Sequence, residues 1–212
     1  MTLPRFYPIV DTATLAQRGA ALLTASRALL AAGAAILQIR HKGHWPRGLF
    51  AEAEEAARLC LEHGAKLIVN DRVDIAMLLA SGVHLGQDDL APSDARRLLG
   101  PDRVIGFSTH NAEQLTAAAA EPVDYVAIGP IFATASKESP SPVIGPEQIP
   151  SLRALARHPV AAIGGITRQN ARAVFKNGAD AVAIISDLYP DSLTEHTLRA
   201  RAAEWQTLCR TL

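Results

Sequence analysis

LQIRHKG (37–43), VNDRVDIA (69–76) and SGVHLGQDDL (81–90) share one format, a short apolar run that ends in charged side chains. As neighbouring parallel strands they would deliver those polar tails to one end of one sheet. Asp71, Asp89, Arg40 and Lys42 would then surround a single pocket. Such a set suits a divalent cation together with a strongly anionic group, and diphosphate is the group expected.

The same format recurs outward along the chain. Phe6–Val10, Ile36–Ile39, Leu67–Val69, Val83–Leu85, Val104–Phe107, Tyr125–Ile128, Val160–Ile163 and Ala181–Ile185 are near-continuous apolar runs, as parallel strands covered on both faces require. Ala/Leu-rich segments of helical period separate most of them. Residues 49–63, LFAEAEEAARLCLEH, place Leu49, Ala53, Ala56, Ala57 and Cys60 on one face and Glu52, Glu55 and Glu62 elsewhere, with Gly64 as a stop. Residues 16–32, 147–157 and 169–177 before Gly178 are predicted helices on the same grounds.

Eight strands alternating with helices in 212 residues predict an α/β chain folded as a (β/α)8 TIM barrel, one domain spanning 1–212. The rival architecture, an open doubly wound sheet, lacks its GxGxxG signature after the first run. Residues 131–146, IFATASKESPSPVIGP, are polar, Pro-rich and aperiodic. On the site-bearing side of a barrel such a stretch predicts a mobile lid.

Bulk properties narrow the function. Lys plus Arg balances Asp plus Glu at 21 each, so no basic field exists to attract nucleic acid. Cys60 and Cys209 form neither a paired-thiol motif nor a zinc spacing, and are expected to be structural thiols. The first residues, MTLPRFYPIVDTATL, lack the charged-then-apolar order of a signal peptide. No apolar stretch approaches the roughly 20 residues that span a bilayer. A soluble, cytoplasmic protein with a small-molecule partner is expected. The sequence is compatible with a homo-oligomer without fixing one.

Each candidate group has a plainer explanation beside the functional one. Asp71 alone reads as a helix N-cap, and Asp89 alone as a turn residue before Pro92. On adjacent strand ends, however, the two make a better magnesium site than either alone. Between Asp88 and Asp89 no choice follows, because alternation holds only on an extended strand. Gln38, Arg40 and Lys42 share one face of the second strand. Unpaired charge inside a barrel is expensive, so an anionic ligand is expected there. Lys137 is either an exposed lysine or a group that closes over the same anion. AIGGIT (162–167) and AIISD (183–187) end the seventh and eighth runs. Backbone N–H groups of Gly164, Gly165, Ile185 and Ser186 would there cradle a phosphate. His84 reads equally as a hydrogen-bonded core residue and as a functional one, while His110 is better placed as an acid–base group.

QIRHK, VNDRVDIA, GVHLGQDDL, IGFSTH, DYVAIGPIFATASK, AIGGIT with Asn170, and GADAVAIIS occur in an order that resembles the thiamine phosphate synthase family over nearly the whole chain. The resemblance implies that hydroxymethylpyrimidine diphosphate loses pyrophosphate and is captured by the nitrogen of thiazole phosphate, or of its carboxylated form. By position it implies Mg2+ on Asp71 and Asp89. It assigns Gln38, Ile39, Arg40, His41, Lys42, Asn70, Ser108 and Lys137 to the pyrimidine diphosphate, with Arg40, Lys42, Ser108 and Lys137 catalytic. Thr134, Ala135 and Ser136 would meet the thiazole phosphate, whose phosphate would lie on Gly165, Ile185 and Ser186. Two departures are visible: His41 where the family usually has an acidic residue in QxREK, and Ser136 for a common threonine in TxTK. An aminopyrimidine delocalises a developing methylene cation, so a dissociative step without a protein nucleophile is expected. The competing activities are a thiazole tautomerase, a catalytically silent ligand-binding barrel and a sugar-phosphate isomerase.

Overall fold

In a computed structural model, which describes residues 2–134 and 142–212, each of the eight apolar runs is a strand. They are β1 (Phe6–Asp11), β2 (Ile36–Arg40), β3 (Lys66–Asn70), β4 (Gly82–Leu85), β5 (Ile105–Thr109), β6 (Tyr125–Ile128), β7 (Val160–Ile163) and β8 (Ala181–Ile184). All eight pair in parallel and in sequence order, and β8 returns to β1 to close the barrel.

Alternation along each strand divides the core into two layers. Tyr7, Ile9, Ile36, Ile68, Tyr125, Ala161 and Ala183 fill the barrel interior. Val10, Leu37, Ile39, Val69, Val83 and Ile105 belong to the larger outer layer that packs beneath the helices. Burying each large aliphatic side chain contributes about 1.5–3 kcal/mol, which is why both faces of the strands had to be apolar.

The helices are α1 (Thr12–Gln17), α2 (Leu22–Ala31), α3 (Arg47–Glu62), α4 (Val73–Leu78), α5 (Pro92–Leu99), α6 (Ala112–Ala118), α7 (Ile149–Leu155), α8 (Ala171–Lys176) and α9 (Glu195–Thr211). The helix expected over 16–32 is two helices. Gly19 takes φ +63°, and the Ala20 amide bonds back to Leu15 O, a left-handed stop that ends α1. Gly64 ends α3 in the same way, with the Ala65 amide on Cys60 O. The helix expected over 147–157 begins as a 3-10 turn, Pro146–Gln148, before α7. Part of the expected lid, residues 135–141, lies outside the described residues.

The alternation of apolar runs gave no place to α9, the longest helix. Its buried stripe is narrow, Leu198, Ala202, Trp205 and Cys209, and a Thr194–Thr197 capping box starts it. Trp205 stacks on Phe6 of β1 with ring centroids 6.1 Å apart. Cys60 and Cys209 are both free and buried, and burial pushes their thiols up to about 12 and about 11. No helix among the described residues is long and apolar enough to cross a membrane.

Candidate active site at the mouth of the barrel

The C-terminal ends of the strands surround a cavity of about 630 Å³. Strand polarity makes this end the natural ligand side of the fold. Gln38, Arg40, Lys42, Asn70, Asp71, Asp89, Ser108, Thr134, Gly165, Ile185 and Ser186 all line it.

Two carboxylates meet on one wall. Asp71 follows β3 at φ +64°, left-handed backbone that an L residue adopts at a cost, and its amide donates to His84 O at 2.8 Å. It is not a helix cap, because α4 starts from Arg72 without a side-chain cap. The strained turn instead aims Asp71 at Asp89. Asp89 accepts from the Gly86 amide at 2.6 Å, while Asp88 is exposed. Burial raises the Asp89 carboxyl above the ordinary range; the Gly86 amide opposes this, the adjacent Asp71 raises it further, and Lys42 counters. Two acids brought so close, with one exposed lysine between them and solvent, are suited to a cation.

The basic groups are already engaged. Lys42 Nζ lies 2.6 Å from Asp71 Oδ2. Arg40 pairs with Asp11, a buried residue at the end of β1 that also caps α1 through the Thr14 amide. Asp11 thus supplies the intramolecular partner that His41 cannot. It escaped notice because it closes an apolar run, although it shares the inward parity of Tyr7 and Ile9.

Neutral polar groups line the floor. The Asn70 side chain is buried, and its Nδ2 has no hydrogen-bond partner among the described residues. A buried donor left without an acceptor costs about 1–3 kcal/mol, so this one is suited to a ligand. Ser108 Oγ lies 2.9 Å from His84 Nε2, and Gln38 Nε2 donates to the Tyr7 hydroxyl at 2.8 Å. Desolvation pulls His84 down to about 4, so it is neutral near pH 7. His110 Nδ1 lies 2.6 Å from the Gly129 carbonyl, and the residue lines the cavity.

Among the described residues the far wall carries no acidic pair. Gly164 and Gly165 turn at φ +97° and +62° against the segment 130–133 that follows β6. A Cβ on Gly165 would sit 2.4 Å from Ala133 O, so this backbone approaches as closely as only glycine allows. Asn170 fastens the turn, donating to Gly165 O at 3.0 Å and accepting from the Thr167 amide at 2.7 Å. Ser186 opens the short 3-10 turn after β8. Next to it, Asp187 accepts from Arg168 Nε and Trp205 Nε1, each at 3.0 Å.

Two residues expected to contact the ligand direct their side chains elsewhere. Ile39 is fully buried in the outer layer, and His41 turns away to the Thr12 hydroxyl at 2.7 Å and the edge of Trp45, so neither side chain lines the cavity. Strand alternation is the reason: Gln38 and Arg40 face in, and the residue between them faces out. Ala135, Ser136 and Lys137 lie outside the described residues. Tyr7, Tyr125, Gln87 and Gln114 line the cavity without having been singled out from sequence. The two tyrosines were hidden inside apolar strands, where an aromatic residue reads as core.

The family model of thiamine monophosphate synthase matches residues 6–188. The thiamine-phosphate synthase of Koribacter versatilis is 44% identical, the match covering 97% of this chain and 95% of that one. The thiamine-phosphate synthase of Chlorobium phaeovibrioides is 46% identical over 80% of this chain and 82% of its own. Among solved structures, a thiamine phosphate pyrophosphorylase from Pyrococcus furiosus superposes with a TM-score of 0.83 at 29% identity, covering 98% of this chain and 96% of that one.

Proposed function

The chain belongs to the thiamine monophosphate synthase family, and from that premise we propose that its barrel mouth joins hydroxymethylpyrimidine diphosphate to thiazole phosphate in a magnesium-dependent, dissociative step. The observation that carries the metal and the leaving group is the meeting of Asp71 and Asp89 beside Lys42. A tautomerase acting on a thiazole phosphate alone would have no use for that acidic pair.

Asp71 and Asp89 would hold Mg2+, a cation that commonly takes one or two carboxylates and fills its remaining positions with water and phosphate oxygens. When bound it would spread the charge that gathers on the departing pyrophosphate. The chain's own groups share that work. Lys42, with its carboxylate partner satisfied, would turn to the diphosphate. Arg40 is held in place by Asp11, so its remaining guanidinium N–H groups are preorganised towards the anion. Asn70 Nδ2 and the Ser108 hydroxyl add neutral donors. Gln38 would pair with the aminopyrimidine edge, and the Gly165–Ile185–Ser186 backbone would seat the thiazole phosphate. With both heterocycles fixed, the thiazole nitrogen meets the electron-poor methylene carbon without diffusing to it. No side chain need act as nucleophile.

The decisive experiment incubates both heterocycles with the purified protein, with magnesium or with a chelator. Thiamine phosphate and pyrophosphate should appear together, and only with the metal. Absence of both products would overturn the synthase assignment, and equal yields under chelation would overturn the metal.

A further inference from the structure

A chain of side-chain hydrogen bonds crosses the barrel floor. Gln38 Nε2 donates to Tyr7 Oη at 2.8 Å, and the Tyr7 and Tyr125 hydroxyls are 2.7 Å apart. Tyr125 Oη lies 2.9 Å from His84 Nδ1, and His84 Nε2 lies 2.9 Å from Ser108 Oγ. The five residues come from β2, β1, β6, β4 and β5, so the links are tertiary throughout. Gly106 leaves the space for them. A Cβ there would fall 2.1 Å from Tyr125 Cζ and 2.5 Å from His84 Nδ1, the two rings that stack at 5.5 Å.

Every member is neutral. Gln38, Tyr7, Tyr125 and His84 are buried, and both His84 ring nitrogens meet hydroxyls and no carboxylate. Each hydroxyl then has a single hydrogen to donate, and neutral imidazole has one N–H and one lone pair. With Gln38 donating, one arrangement uses every link. Tyr7 donates to Tyr125, Tyr125 donates to His84 Nδ1, and His84 Nε2–H donates to Ser108, whose own hydrogen faces the cavity. Turning the Gln38 carbonyl oxygen to Tyr7 reverses every step and ties the Ser108 hydrogen to His84.

We propose that Gln38, Tyr7, Tyr125, His84 and Ser108 act as one directional chain, through which the amide that orients the pyrimidine sets Ser108 as a donor to the diphosphate. The identities of those two groups rest on the synthase reading above. Tyr7 and Tyr125 are positioning residues, acting through Gln38 and Ser108. A base seated on Gln38 in the wrong orientation would leave Ser108 presenting only lone pairs to an anion. Correct seating and leaving-group stabilisation are thereby coupled.

The test reads the His84 tautomer by long-range 15N–1H NMR in the ligand-free protein. Wild type should show predominantly the Nε2–H form. Tyr7→Phe does not alter any atom in hydrogen-bond contact with His84, yet it should shift the tautomer ratio by roughly five- to tenfold towards Nδ1–H, about what one net hydrogen bond is worth. The same variant should lose about tenfold in kcat/KM for the pyrimidine diphosphate while KM for thiazole phosphate holds, one chain link being of that size. Should Tyr7→Phe fail to fold, Gln38→Met gives the same readout one link further away, again without altering either partner of the His84 ring. An unchanged tautomer ratio in the folded variant, or an Nδ1–H form in wild type, would overturn the chain. The spectroscopic arm uses no substrate, so a wild-type protein inert in coupling would overturn the synthase reading and leave the chain standing.

Discussion

Under the proposed function, the two walls of the cavity would handle anions by different means. On the β2–β4 side charge comes from side chains: Asp11 braces Arg40, and Lys42 bridges to Asp71 beside Asp89. On the β7–β8 side the same task falls to backbone, at Gly164, Gly165 and the turn that starts at Ser186. A leaving diphosphate gains charge during reaction and needs groups that answer strongly to it. A phosphate that serves only as a handle needs a close, neutral fit. The contrast separates a wall that does chemistry from a wall that holds.

The strongest way to break this contrast is Asp71→Asn. Coupling should fall by at least ~10²-fold, the scale for losing one preorganised electrostatic group. The fold should survive, because asparagine tolerates the φ of +64° at least as well. Single-turnover assays and a thermal melt decide it, and full activity would remove the acidic wall from the chemistry.

Next in size is a pH effect on the neutral floor between the walls. His84 titrates near 4 in the fold against 6.5 in the unfolded chain, so the unfolded state binds more protons between those values. Its contribution is complete above about pH 6.5 and is lost as pH falls towards 4, on the order of 3 kcal/mol. Melts from pH 7 to 4.5 should show a steeper decline for wild type than for His84→Gln. Parallel declines would mean that His84 is not held neutral.

Gly165→Ala probes the holding wall. A methyl 2.4 Å from Ala133 O at φ +62° must displace the turn. KM for thiazole phosphate should rise by about tenfold while KM for the pyrimidine diphosphate stays fixed, as expected when one binding contact of ~1.4 kcal/mol is lost. A rise in both constants would mean that the walls are not separable. The mildest test is salt. Raising ionic strength should weaken diphosphate binding several-fold and thiazole phosphate binding less, since screening acts on the exposed Lys42 charge more than on backbone dipoles. Equal salt slopes would blur the distinction.

Much of this was legible in the chain itself. The eight strands could be read because both of their faces are buried, which leaves unbroken apolar runs. The charged residues at or just past the ends of β2, β3 and β4 could be read together, because charge on three adjacent strand ends suits one shared site better than separate caps and turns. What escaped has physical causes. Asp71 was named as a site residue, but the left-handed backbone that turns it from the helix to the cavity has no signature in sequence. Asp88 and Asp89 lie in a turn, where strand parity gives no guidance. Tyr7 and Tyr125 resemble core residues because only tertiary pairing reveals that their hydroxyls meet. Helix α9 hides its apolar stripe among charges. Ile39 points its side chain outward by strand alternation, and His41, just past the strand, is drawn to the Thr12 hydroxyl.

Trp205 touches both sides of the seam that closes the barrel, its ring flat on Phe6 of the first strand and its N–H on Asp187 after the last. A nascent chain on the ribosome therefore carries all eight staves before it holds the residue that seals the seam between first and last. The turn that begins at Ser186 is thus braced by a residue that leaves the exit tunnel later than every stave, and a ribosome-bound barrel has its strands before it has that brace.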